Sequence, residues 1–168
     1  MEIAQYDAII IGAGISGMYE LHRRRGLGIS ARVFEAGDDL GGTWFWNRYP
    51  GCRFDSESYS YGYSFSDDIL REWDWSEHFA AQPETLRYLE FVAAKLDLRR
   101  DIQFGSRVES AAYDEEANLW EVLLADGRSA RSRIVITAIG ALSTPVLPAI
   151  EGIQSFRVPA IHTGLWPR

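Results

Sequence analysis

The run Gly12-Ala13-Gly14-Ile15-Ser16-Gly17 separates two segments of different periodicity. Before it stands a short β-branched apolar block, Ala8 to Ile11. Such a block suits a strand buried on both faces, as central parallel strands are. After it, ISGMYELHRRRG reads as a helix, with Gly26 expected just past its last turn. ARVFEA is the next strand. A strand, a glycine turn, a helix and a second strand within the first 36 residues predict a βαβ unit.

The glycine spacing G-x-G-x-x-G has a physical reading in this context. Gly12 permits a tight turn, Gly14 lets a pyrophosphate approach bare backbone, and Gly17 lets helix and strand pack closely. The helix start, with Ser16 in its first turn, offers N–H groups and a partial positive charge to phosphates. Glu35 ends the second strand, 18 residues beyond Gly17. A carboxylate there accepts hydrogen bonds from adenosine ribose hydroxyls and repels a 2′-phosphate. The site is therefore expected to prefer FAD or NAD to NADP. The bland alternative is a tight turn that binds nothing, but strand, helix, glycines and distal acid all agree.

The segment GGTWFWNRYPGCRFDSESYSYGYSFS, 41–66, carries neither a helical stripe nor a long alternation and reads as an aromatic loop. Beyond it, Leu86, Leu89, Val92, Ala93 and Leu96 follow helical spacing, with Pro83 in the first turn. IQF, VESAAYD, WEVLLADG and IVITAIG then read as short strands. They predict a small antiparallel meander followed by a last apolar strand. From Ser143 the chain becomes irregular and proline-rich, like a linker leaving a domain.

Composition narrows the function classes. The net charge of −7 and the lack of a basic stripe argue against nucleic acid. The cluster Arg23-Arg24-Arg25 falls late in a helix, where cations suit the helix dipole. Cys52 is the sole cysteine, so neither an internal disulfide nor a cysteine metal site is available, and no metal is expected. The apolar run is too short to span a membrane. A cytoplasmic protein with no membrane partner is the expectation. Cys52 has no identifiable base, so a nucleophile is not expected; His22 and His78 read as structural.

Gly41-Gly42, Trp44, Tyr49-Pro50-Gly51 and Asp55 follow a pattern of glycine pair, x, Trp, four residues, Tyr-Pro-Gly, three residues, Asp. With the first turn, this resembles the flavoprotein monooxygenases of the Baeyer–Villiger type, such as phenylacetone and cyclohexanone monooxygenases. The likeness runs from about Tyr6 to Pro167. Phe156, His162, Trp166 and Pro167 match the family fingerprint F-x-G-x-x-x-H-x-x-x-W-P, whereas Val158 replaces its glycine. If that glycine has positive φ in the family, valine strains or alters the linker.

The resemblance implies a Rossmann-like α/β FAD-binding domain, with a parallel βαβ start and an antiparallel meander, incomplete relative to the family. Residues 1–142 would form its first part, and 143–168 a linker towards an absent NADP domain. It implies FAD reduced by NADPH, reaction with O2 to a C4a-peroxyflavin, and oxygen insertion beside a ketone carbonyl. Gly12, Gly14, Ser16, Gly17, Glu35, Gly42, Thr43, Trp44, Trp46, Asp55, Tyr61 and Val108 would serve the flavin, the aromatic segment wrapping it. Asp55 would also be the active-site aspartate; its bland alternative is a helix cap. Arg53, His162 and Trp166 would face the NADP side, though a merely structural hydrogen bond at His162 is an equal alternative.

Family members are longer and carry a second G-x-G-x-x-G, absent here, so this chain alone is not expected to turn over. Alternatives are an N- or S-oxygenating flavin monooxygenase, or a stand-alone nucleotide-binding module complementing a second polypeptide. An uncovered aromatic loop predicts self-association.

Overall fold

The computed structural model describes residues 3–167; the outermost ends of the two expected domains, at 1, 2 and 168, lie outside it. The first strand, β1 (Ala4–Ile11), is central, and helix α1 (Ile15–Gly26) crosses to β2 (Ala31–Phe34), which pairs parallel to it. The aromatic segment holds two single helical turns, α2 (Thr43–Trp46) and α3 (Ser58–Tyr61), and α4 (Asp67–Glu72) follows. Helix α5 (Gln82–Lys95) leads through a 3-10 turn to β3 (Ile102–Gln103), β4 (Val108–Asp114), β5 (Leu119–Leu124) and β6 (Ser129–Thr137). The strands form one mixed sheet in the order β3-β2-β1-β6-β5-β4.

The meander and the last apolar strand turn out to be continuous. Strand β6 is antiparallel to β5 through Ser129–Ser132 and parallel to β1 from Ala130 to Thr137. Its polar first half had masked it, because the pattern SARS alternates weakly while IVIT is plainly apolar.

Both faces of β1 are buried over Ala8–Ile10, as that apolar block requires. Ala8 and Ile10 join Met18 and Leu21 of α1, Val33 of β2, and Leu89 and Val92 of α5 in the main core. Ile9 faces the other way, onto Phe34, Val122, Leu124 and Ala130. Helix α5 buries the side carrying Leu89, Val92 and Ala93, the stripe expected from its spacing.

The end of α1 differs from expectation. Gly26 remains helical, Leu27 caps the helix, and Gly28 takes the left-handed conformation, φ +70°, donating to Arg25 O at 3.0 Å. Chain reversal needs the positive φ two residues later than the first available glycine. The three arginines do occupy the last turn, and Arg25 donates to the carbonyls of Leu96 and Asp97, fastening α1 to the end of α5.

Candidate functional site: the glycine turn and its aromatic wall

The turn after β1 is held from three directions. Gly12 has φ +102°, and a Cβ on it would sit 2.6 Å from Ala138 O, just past β6. A Cβ on Gly17 would sit 1.9 Å from Gly12 O, so α1 can lie this close to the strand only with glycine there. The third wall is the Gly41-Gly42 turn: Gly41 N donates to Ala13 O at 3.0 Å. A Cβ on Gly14 would point at Gly42 Cα, 3.4 Å away. The missing side chain of Gly14 therefore makes room for a second stretch of backbone, which the expectation of pyrophosphate approach alone had not foreseen.

Glu35 points at the turn. Its Oε2 accepts from Ala13 N at 2.6 Å and its Oε1 from Gly37 N at 2.7 Å. It is only 4% exposed, and its own backbone bonds Gln103 and Ser106. A buried carboxylate is tolerable when its oxygens receive N–H groups. With about four acceptor positions, it retains lone pairs beyond these two bonds. Gly14 precedes α1 as N-cap with no side-chain cap, and no acidic residue lies in the first turn of this 12-residue helix. Uncapped N–H groups beside a helix dipole, with Ser16 exposed among them, can donate to an anion. The residues thus fit a diphosphate group.

The rings of the aromatic segment pack largely on one another. Trp44 is 5% exposed; its Nε1 donates to Tyr61 Oη at 2.8 Å, and its backbone carbonyl accepts from Gln82 Nε2 at 2.5 Å. Phe54 and Tyr61 stack at 4.2 Å between centroids, and Trp75 meets Phe54 edge-on. Rings pack on rings because the segment has few other apolar groups to bury. Thr43 and Trp46, in contrast, are exposed. Burial pushes the Tyr61 phenol above its ordinary range, the Trp44 bond lowers it and the Asp55 charge raises it.

Asp55 is exposed and is not a helix cap, since Glu57 occupies the N-cap position of α3. Arg53 bonds Glu77 Oε2 and Phe79 O, both at 2.9 Å, so it braces the approach to α5. Val108 packs on the Ile9 cluster. His162 Nδ1 accepts from Gly164 N at 3.0 Å, the local structural bond considered for it. Trp166, on the same segment beyond β6, is 37% exposed. Val158 does not take positive φ: among the described residues, Asp97 and Asn118 alone do so without being glycine. Cys52 is buried, which pushes its thiol up and away from reactivity.

Sequence reasoning missed Ala13, Gly37 and Tyr63. Tyr63 Oη donates to Ile15 O at 2.6 Å, and Tyr63 N donates to Tyr88 Oη at 2.7 Å, joining α1 to α5. Ala13, inside the glycine run, and Gly37, close behind Glu35, carried a sequence hint. A cleft of about 510 Å3 is lined by Ser58, Trp73, Trp75, His78 and Tyr88 among others, none of them in the turn. No group of three or more potential metal ligands occurs among the described residues, and no helix there is long and apolar enough to cross a membrane.

Fold and turn together define a Rossmann-type dinucleotide-binding domain, and residues 10–68 match the family model of the NAD(P)-binding Rossmann-like domain. Among the proteins the chain resembles are Baeyer–Villiger-type monooxygenases. It is 47% identical to a 2-oxo-Δ3-4,5,5-trimethylcyclopentenylacetyl-CoA monooxygenase of Pseudomonas putida, over 96% of this chain and 30% of that one. It is 43% identical to the methyl acetate-forming acetone monooxygenase of Gordonia sp. strain TY-5, over 100% and 32%. The solved cyclohexanone monooxygenase from Rhodococcus sp. Phi1, bound to NADP+, superposes with a TM-score of 0.92 at 42% identity, over 99% and 32%. The chain thus spans about a third of the length of the relatives it matches.

Proposed function

We propose that this chain is the FAD-binding portion of an NADPH- and O2-dependent monooxygenase that inserts oxygen beside a ketone carbonyl. The observation that carries the reading is the Glu35 carboxylate turned onto a glycine loop whose helix start is uncapped. Gly12, Gly14, Ser16 and Gly17 would hold the diphosphate, and Glu35 the adenosine ribose. Thr43 and Trp46 are the exposed groups of the aromatic segment available to the flavin, with Gly42, Trp44 and Tyr61 forming the wall behind them. Val108 would support that site through the sheet. Asp55 would place a charge near it, and Arg53, His162 and Trp166 would serve the nicotinamide side. Residues 143–168 would connect towards the NADP-binding part. When bound, flavin supplies the two-electron chemistry that activates O2. The buried rings exclude water from that region.

A cytoplasmic location accords with this reading. Self-association, or a second polypeptide completing the domain, would cover the apolar surface described below. N-oxygenation is the second reading, supported by 41% identity to a phenazine N-monooxygenase of Lysobacter antibioticus. Titrating purified chain into FAD and following flavin fluorescence tests the proposal. Saturable quenching by FAD supports it; a chain that leaves flavin emission unchanged at all concentrations sinks it.

A further inference from the structure

We infer that Gly42 is a positioning residue for the dinucleotide turn, acting through Gly14 and not by touching the flavin; this rests on the flavin-site reading above. Gly42 has φ +53°, and a Cβ on it would sit 2.8 Å from Gly14 Cα and 3.5 Å from Gly14 N. The neighbouring Gly41, φ +123°, donates its N–H to Ala13 O. Ala13 N is in turn held by Glu35. Ala13, the residue before Gly14, is thus held at its N–H by a carboxylate and at its C=O by the glycine pair. Two Cα atoms in contact leave nothing flexible to yield, so a methyl at Gly42 must push the Gly14 backbone. That displacement moves the first N–H groups of α1, whose aim decides phosphate binding. Gly42 opens α2, which carries Thr43 and Trp46, so the same contact sets the phosphate turn and the exposed aromatic group in register.

The readout is a comparison of ADP with FAD. A residue acting through the turn weakens both nucleotides by the same factor, whereas one touching the isoalloxazine weakens FAD alone. For Gly42→Ala we expect an equal loss for ADP and FAD of about tenfold or more, given typical costs of backbone strain. Gly51→Ala is the control: Gly51 has φ +79° but faces open space, so it carries similar local strain without the contact and should retain wild-type affinities. Wild-type ADP binding by Gly42→Ala, or an equal loss in Gly51→Ala, overturns the inference. Should Gly42→Ala fail to fold, amide exchange in the unmutated chain decides. ADP should slow exchange of the Gly41 N–H, which is bonded to Ala13 O, and an unchanged rate overturns the inference. A wild-type chain that binds neither nucleotide would instead remove the flavin-site reading, and this inference with it.

Discussion

Trp44 and Tyr61 are joined by a hydrogen bond of 2.8 Å, indole to phenol, across a buried T-shaped ring contact of 5.8 Å. The first residue lies in α2 and the second in α3, so the bond closes the aromatic segment on itself. Tyr61→Phe would keep the ring and its stack on Phe54 but leave a buried indole donor without an acceptor. An unpaired buried donor costs about 1–3 kcal/mol. We expect the urea midpoint to fall accordingly with an unchanged slope; an unchanged midpoint would mean Trp44 finds another acceptor.

Three tyrosines make stability depend on alkali. Burial is the main cause raising the phenols of Tyr61, Tyr63 and Tyr88 above their ordinary value near 10. At Tyr88 burial prevails although the bond from Tyr63 N opposes it. Raised folded values mean that the folded protein holds these protons more tightly than the unfolded chain. The contribution to stability is therefore complete below about pH 10 and is lost as pH climbs from there towards the folded values. Melting temperature should be level from neutral pH to about 9 and fall above about 10. Phenolate absorbance should show these three rings ionising together with unfolding; free titration of all eight tyrosines near pH 10 would contradict this.

Two glycines of α1 should respond oppositely to alanine. Gly17→Ala drives a Cβ to 1.9 Å from Gly12 O, a backbone atom that cannot swing aside. The cost should reach or exceed the upper end of the ~1–3 kcal/mol typical of overpacking. Gly26 is helical and a Cβ there meets nothing within 4 Å. Gly26→Ala should stabilise by about 0.4–1 kcal/mol through a less flexible unfolded chain. Denaturant unfolding of the pair checks both signs.

Beside the exposed Trp46 and Tyr59 of the aromatic segment, the segment beyond β6 offers a larger apolar surface for association. Leu142, Val146, Leu165 and Phe156 are 77%, 74%, 63% and 62% exposed. Light scattering should show mass rising with concentration, and the double substitution Leu142→Ser with Val146→Ser should suppress the rise without lowering the melting temperature. A wild-type chain that stays monomeric at high concentration would count against it.

Local chemistry made the βαβ start, the glycine turn, Glu35 and the stripe of α5 legible before any coordinates. Each depends on residues near in sequence: periodicity, backbone freedom, a carboxylate at a strand end. What faces what was not legible. That Gly14 abuts Gly42, that Glu35 holds Ala13 and Gly37, that Tyr63 reaches Ile15, and that Trp44 turns inward while Trp46 stays out are decided by packing between distant segments. An aromatic residue is equally suited to a ring partner or a planar ligand, so only its three-dimensional neighbours choose between them.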